Sequence, residues 1–205
     1  MLIPKQDRAT GSSYPGPRTG TPAEVARLKV ALIEIVPPIW RRVTIPVNLT
    51  LRRLHSVLQS TMGWKDVQPH RFRVGDTLIG MPATVHDGMK DSRWVTVQDL
   101  INARIGTLYY DYGENSRWVH ELWIERVDPG TLSNQRPACV AGERACPPEE
   151  SSGPDEYVDW ILAARDPYGQ PDSGKDKRSK DWQRAFDPER FDLEKVNAAL
   201  AILPL

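Results

Sequence analysis

The side chains of this chain that could do chemistry gather in one stretch, Tyr109–Gly153. It begins YYDYGENSRWVHELWIERV and ends CVAGERACPPEESSG. The first part offers Tyr109, Asp111, Trp118 and His120, a carboxylate and an imidazole set among aromatic rings. A carboxylate beside a histidine can orient a general base. The second part offers Cys139, Cys146, Glu149 and Glu150 on a loop stiffened by Pro147 and Pro148. Thiolates and imidazoles are zinc ligands, so His70 and His120 would complete a Cys2His2 set. Six residues separate the cysteines, where zinc knuckles use roughly two to four. The spacing therefore suits two small buried thiols better than a metal.

These side chains act together only if the backbone brings them to one face. Leu108–Tyr112 and Trp118–Val127 alternate as strands do, with Gly113–Arg117 between them. A four-residue turn at Gly113–Ser116 pairs Tyr112 with Arg117. Asp111 then faces Trp118, Tyr109 faces His120, and all four share one sheet face. Asp111 and His120 become diagonal neighbours, roughly 7–8 Å apart. The resulting pocket would take Glu149 or Glu150 as an extra acid or ligand. The plainer reading makes the rings core, with His120 bonded to Asp111 inside it.

The elements around the hairpin read in an α+β order. Arg27–Ile35 (RLKVALIEI) alternates and is β-branched, and Pro37-Pro38 ends it. Ile39–Ile45 is a second strand closed by Pro46. Leu49–Met62 predicts a helix: Leu51, Leu54, His55, Leu58 and Met62 recur at helical spacing. Asn48 or Thr50 caps it, and Gly63 stands where a C′ glycine belongs. His70–Val74 and Thr77–Gly80 are short strands, and Thr96 caps a helix over Val97–Ala103. Asp155–Ala164, Trp182–Phe186 and Phe191–Ile202 are helices, the last with Val196 and Leu200 inward. This gives one α+β domain over 25–205, a mixed or antiparallel sheet with several packed helices. Residues 1–24, rich in Gly, Pro, Ser and Thr, form a disordered arm, and 170–181 (QPDSGKDKRSKD) a solvated loop.

Position in the pattern decides how the other polar residues read. Arg41 and Arg42 follow Trp40 in a strand, so alternation sends one outward and the other inward or to an edge. They are phosphate-binding candidates, and equally an ion-paired couple. With Arg52, Arg53 and Lys65 they form the one basic patch the sequence offers. His55 lies on the apolar stripe of its helix and reads as a satisfied core histidine. His86, in TVHDGMKD, reads as solvent-facing. His120-Glu121 has no second histidine four residues on, and no P-loop, GxGxxG or GxSxG motif is present.

Composition bounds the class. Lys+Arg and Asp+Glu both total 27, so no global positive field advertises a polyanionic partner. Seven tryptophans supply core or aromatic pocket walls. Two cysteines are too few for a secreted disulfide scaffold. The opening MLIPKQDRATGSSYPGPRTGTP lacks a signal peptide's apolar core, and no run approaches the roughly 18–20 apolar residues of a membrane span. The expectation is a soluble cytoplasmic protein with reduced thiols and no membrane contact.

Six segments together resemble the plasmid pRiA4b ORF-3-like family: LKVALIEIVPPIWRRVTIP, LTLRRLHSVLQSTMGW, PHRF, YDYG followed by WVHEL, CVAGERACPPEE, and FDPERFDLEKVNAAL. They occur in that family's order over about residues 27–200. The resemblance implies a compact α+β domain. For function it implies only that some members sit in mobile elements or are labelled resolvase-like, without recognisable recombinase catalytic residues. Three departures weaken a shared metal site more than the fold. The family hairpin reads like YDFGD-x-W-x-H, whereas two additional residues precede Trp118 here. Ser151-Ser152-Gly153 replaces the family's Cys-Gly-Gly after the glutamates. Only His70, with Gln68 two residues before it, stands where the family often has two histidines.

The functional expectation is a non-enzymatic binding or accessory module, with no cofactor. It would present an aromatic, mixed-charge groove (Tyr109, Asp111, Trp118, His120, Arg41, Arg42) to nucleic acid, peptide or protein. The alternative is a small metal-assisted hydrolase using Asp111, His120 and Glu149. Zinc on Cys139, Cys146, His70 and His120 is the metal set the sequence offers.

Overall fold

The computed structural model describes residues 23–81, 88–114, 117–165 and 186–204. The expected arm at 1–24 and helix at Trp182–Phe186 fall almost wholly outside them, and the 170–181 loop and His86 entirely so. In chain order the elements are β1 (Val25–Leu32), β2 (Trp40–Pro46), α1 (Leu51–Met62), β3 (His70–Val74), β4 (Thr77–Gly80) and β5 (Lys90–Asp91). They continue with α2 (Val97–Asn102), β6 (Thr107–Tyr112), β7 (Trp118–Asp128), β8 (Ala138–Glu143), α3 (Pro154–Arg165) and α4 (Leu193–Ala201). The strands make one mixed sheet in the order β5-β4-β3-β6-β7-β1-β2-β8. Among the described residues only β4 and β5 pair in parallel. This is the single α+β domain expected.

Alternation along the strands decides what each face becomes. On β1, Ala26, Leu28, Val30 and Leu32 point inward and are buried, while Arg27 and Lys29 point outward. Val43 and Ile45 of β2, Phe72 and Val74 of β3, Leu108 of β6 and Leu122 of β7 complete the apolar inner face. Helix α1 lays Leu51, Leu54, Val57, Leu58 and Met62 onto it. Full burial of each such side chain contributes about 1.5–3 kcal/mol. Thr50 starts α1 by accepting from the Arg53 N–H, and Gly63 ends it at φ 79°, a left-handed conformation glycine adopts without steric cost. Thr96 and Asp99 form a capping box at the start of α2.

The segment read from sequence as a cysteine loop is partly strand: β8 pairs with β2 at the sheet's edge. Helix α4 covers that edge. The Asn197 side chain accepts from the Cys139 N–H at 2.9 Å and donates to the Cys139 carbonyl at 2.9 Å. An amide thus takes the place of a further strand, one way to close an exposed edge. Phe191 and Arg41 press against Gly142 so closely that a Cβ there would lie 2.7–2.8 Å from their atoms. Among the described residues no helix is long and apolar enough to cross a membrane.

Candidate functional site

The β6–β7 hairpin decides which residues can cooperate. Its observed register is Tyr112↔Trp118, Asp111↔Val119, Tyr110↔His120 and Tyr109↔Glu121. The connection therefore spans Gly113–Arg117, one residue longer than the four-residue turn expected. A one-residue change sends every side chain of a strand to the opposite face. Asp111 and Tyr109 consequently face outward, while Trp118 and His120 face inward. The expected Asp111–His120 pair does not form. Burial explains the choice: Trp118 is sealed between Trp64 and Tyr157, a gain that leaving it outside would forfeit.

The inner face holds a nest of rings and imidazoles. Tyr110, Tyr112, Trp118 and His120 come from the hairpin, His70 from β3, and His55, Gln59 and Trp64 from α1 and the residues after it. Trp64 stacks on Tyr112 at 5.0 Å and meets the His120 ring edge-on at 5.3 Å. His55 and His70 stack face to face, centroids 3.4 Å apart and planes within 6°. His120 is completely buried, and its Nδ1 lies 3.2 Å from the Tyr110 carbonyl. That contact makes Nδ1 the protonated nitrogen and leaves a bare lone pair on Nε2, which has no partner among the described residues. Burial pushes His55, His70 and His120 down to about 4, so all three are neutral near pH 7.

A ring of contacts fixes the hydroxyl and amide beside them. The Gln59 Oε1 accepts from the Asp66 N–H at 3.0 Å, so its amide nitrogen must face the Tyr110 hydroxyl, to which it donates at 2.9 Å. The Tyr110 proton is then directed to His55 Nδ1, 2.7 Å away. Asp66 Oδ1 stands 2.8 Å from the other nitrogen of His55, Nε2. It lies off the ring N–H direction, so among the described residues Nε2 makes no hydrogen bond. Burial raises the Asp66 carboxyl above its ordinary value, His70 opposes that rise and Glu149 adds to it.

Glu149, expected as an acid or ligand, is a buried clamp. Its oxygens accept from the N–H groups of Lys65 (2.8 Å) and Val67 (3.2 Å) and from the Tyr112 hydroxyl. Burial, then this bond to Glu149, pushes the Tyr112 hydroxyl well up. The Tyr112 oxygen in turn accepts from the N–H groups of Val67 (3.0 Å) and Gln68 (3.2 Å). The Trp64 indole donates to the Pro147 carbonyl at 2.8 Å. These bonds hold the 64–68 loop, with Asp66 at φ 60°, against the imidazoles.

The outer face is ionic. Asp111 is 2 % exposed and receives Arg71 Nε at 2.9 Å and Arg73 through Nε (2.9 Å) and a terminal nitrogen (2.9 Å). Arg73 also lies over the Tyr109 ring at 4.9 Å, and Lys29 sits between Trp40 (5.4 Å) and Trp123 (5.6 Å). Arg42 covers Trp40 and forms a bidentate pair with Glu125 at 2.7 and 2.8 Å.

The remaining candidates serve packing. Arg41 turns inward from β2, donates to the carbonyls of Glu143 (2.7 Å) and Arg144 (2.7 Å), and lies over Phe191. It does not share a surface with Arg42. Cys139 and Cys146 are free thiols, pushed up by burial. Cys146 contacts Met62 and Arg41, and a neighbouring guanidinium opposes a cation. Among the described residues, Cys139, Cys146, His70 and His120 are not gathered within ligating reach. The group that is gathered comprises His55, Asp66 and His70, with ligand atoms all within 4.8 Å of one another. His55 and Asp66 were missed as site residues: the apolar stripe hid the first, and nothing in GWKDVQPH marks the second.

A single mixed sheet carrying its helices on one face, with a histidine-rich aromatic nest beneath them, defines an α+β domain of one compact type. The chain belongs to the plasmid pRiA4b ORF-3-like family, whose model matches residues 24–195. It is similar to the uncharacterized protein y4hQ of Sinorhizobium fredii (strain NBRC 101917 / NGR234), 36% identical over 149 residues, covering 71% of this chain and 75% of that one. It is also similar to the crystal structure of MM3350, a protein of unknown function from Methanosarcina mazei Go1. The TM-score is 0.73 at 28% identity, covering 83% of this chain and 96% of that chain.

Proposed function

We propose that the protein is a non-enzymatic binding module whose outer sheet face engages another protein. The observation that carries this reading is the set of aromatic rings on that face, Trp40, Tyr109 and Trp123, each with a cation over it. Helices α1, α3 and α4 lie on the other side, through His55, Tyr157 and the contact of α4 with α1. Trp, Tyr and Arg are the residues that dominate protein interfaces energetically. Asp111, Glu121, Glu125 and Glu143 stand among the cations, an arrangement that suits a partner of mixed charge and repels a phosphate backbone. The hydrolase reading built on Asp111, His120 and Glu149 is set aside, because the first faces outward, the second is sealed inside and the third clamps backbone.

The test places a photo-crosslinking aromatic residue at Tyr109 in cells of the source organism. A discrete protein adduct that disappears in a Trp40→Ala/Trp123→Ala variant is expected. An adduct unaffected by those substitutions, or none, removes the reading. A nucleic-acid adduct, with matching retention on single-stranded oligonucleotides at low salt, would replace protein by nucleic acid as the partner.

A further inference from the structure

We propose that His55, Asp66 and His70 form a mononuclear site for a divalent first-row transition ion such as Zn2+, independent of the outer-face reading. Their donor atoms come from three separate places in the chain, the middle of α1, the 64–68 loop and the first residue of β3, yet lie within 4.8 Å of one another. Among the described residues, His70 Nε2 is buried without a hydrogen-bond partner, and His55 Nε2 meets only Asp66 Oδ1, at 2.8 Å and off the hydrogen-bond direction. A buried imidazole nitrogen left without such a bond is costly unless something binds it. The rings are neutral, the form a metal requires. The Asp66 side chain is 54% exposed, which supplies a negative charge and a path from solvent. Imidazole nitrogens with one carboxylate favour zinc-like ions over Mg2+ or Ca2+, which prefer oxygen. Three protein ligands leave a fourth tetrahedral position for water.

The stacked rings dictate how an ion must be taken up. A metal lies close to the plane of each imidazole that ligates it. Face-to-face rings with centroids 3.4 Å apart and planes only 6° from parallel cannot both hold in plane a metal about 2.0–2.1 Å from each nitrogen. One ring has to turn. His55 is held at Nδ1 by Tyr110, whereas the half-buried His70 side chain makes no hydrogen bond among the described residues. His70 is therefore the ring that swings. With the ion on Nε2 of His55, the proton of that ring moves to Nδ1 and donates to the Tyr110 oxygen. The exchange takes from the Tyr110 proton the acceptor it has in the contact ring, a cost the metal–nitrogen bonds must exceed. Outer partners of this kind commonly tune affinity.

The experiment is a Zn2+ titration of chelator-treated full-length protein against a chromophoric competitor, followed by NMR of the histidine rings. One Zn2+ per chain is expected, with the His55 and His70 ring signals shifting and that of His120 unchanged. His70→Ala and Asp66→Asn should each weaken binding by at least the roughly 10–100-fold that loss of an outer partner alone brings, with circular dichroism and melting temperature retained. Both side chains reach solvent or lack hydrogen-bonded partners, so these variants fold even if His55→Ala does not. Cys146→Ser should leave affinity unchanged. No stoichiometric binding, or binding that survives both His70→Ala and Asp66→Asn, overturns the site, as does loss of binding in Cys146→Ser alone.

Discussion

Asp111 and His120 belong to one hairpin, and the two faces of the sheet treat them oppositely. Outside, a buried carboxylate is matched by two guanidiniums that still reach water. Inside, imidazoles are kept uncharged by burial and held by hydroxyl, amide and carbonyl groups. A strand alone cannot choose between these solutions; the neighbouring layer does. Where helices exclude water, the imidazoles survive as neutral groups, and the charges that remain, Glu149 and Arg41, are tied to backbone N–H and carbonyl groups. Where the sheet meets solvent, charges survive in pairs, at little net gain.

The sharpest way to break this contrast is Tyr110→Ala. Tyr110 is fully buried and its hydroxyl joins His55 to Gln59. A loss of about 3–5 kcal/mol in urea unfolding is expected, and a loss below about 1 kcal/mol would mean the nest is loosely packed. Acid comes next. His55 and His120 have folded values near 4, below the ordinary 6.5. The unfolded chain binds their protons first, so their contribution is whole above pH 6.5 and fades as pH falls toward 4. The slope is about 1.4 kcal/mol per pH unit for each histidine that stays neutral when folded. Unfolding midpoints measured from pH 7 to 4.5 should follow it, and His120→Phe should flatten the curve; an unchanged slope would show that His120 does not titrate in this way.

Smaller effects belong to the outer face. Asp111→Asn should cost about 1–3 kcal/mol, since Arg71 and Arg73 can turn to solvent once the charge is gone. A thermal shift as large as that of Tyr110→Ala would erase the distinction between the faces. The smallest effect is the Arg42–Glu125 pair. A double-mutant cycle should give about 0–1 kcal/mol of coupling and less at high salt; a salt-insensitive value of several kcal/mol would place the pair in a buried environment it does not have here.

Most elements were legible because their signals are local. The Thr50 cap, the apolar stripe of α1, Gly63 and the alternation of β1, β2 and β7 need no tertiary information. What failed was register. The length of the 113–117 connection depends on where Trp118 finds its burial, and that partner, Tyr157, lies far along the chain. The same non-locality hid the site. His55 looked like core, and it is core; only the fold sets His70 and Asp66 beside it. The PHRF, YDYG, WVHEL and CPPEE segments converge as one packed nest, the plainer of the two sequence readings, except that His120 is bonded to the Tyr110 carbonyl and not to Asp111.

Glu149 carries a consequence for how this chain can vary. Three donors arrive at its two oxygens, two of them main-chain N–H groups, so both ends of the side chain must be acceptors. Glutamine, though the same shape, would set an amide hydrogen against one of them. Residues 65 and 67, in contrast, contribute only the part common to every non-proline amino acid. Drift should therefore be cheap at the two gripped positions and dear at the one that grips.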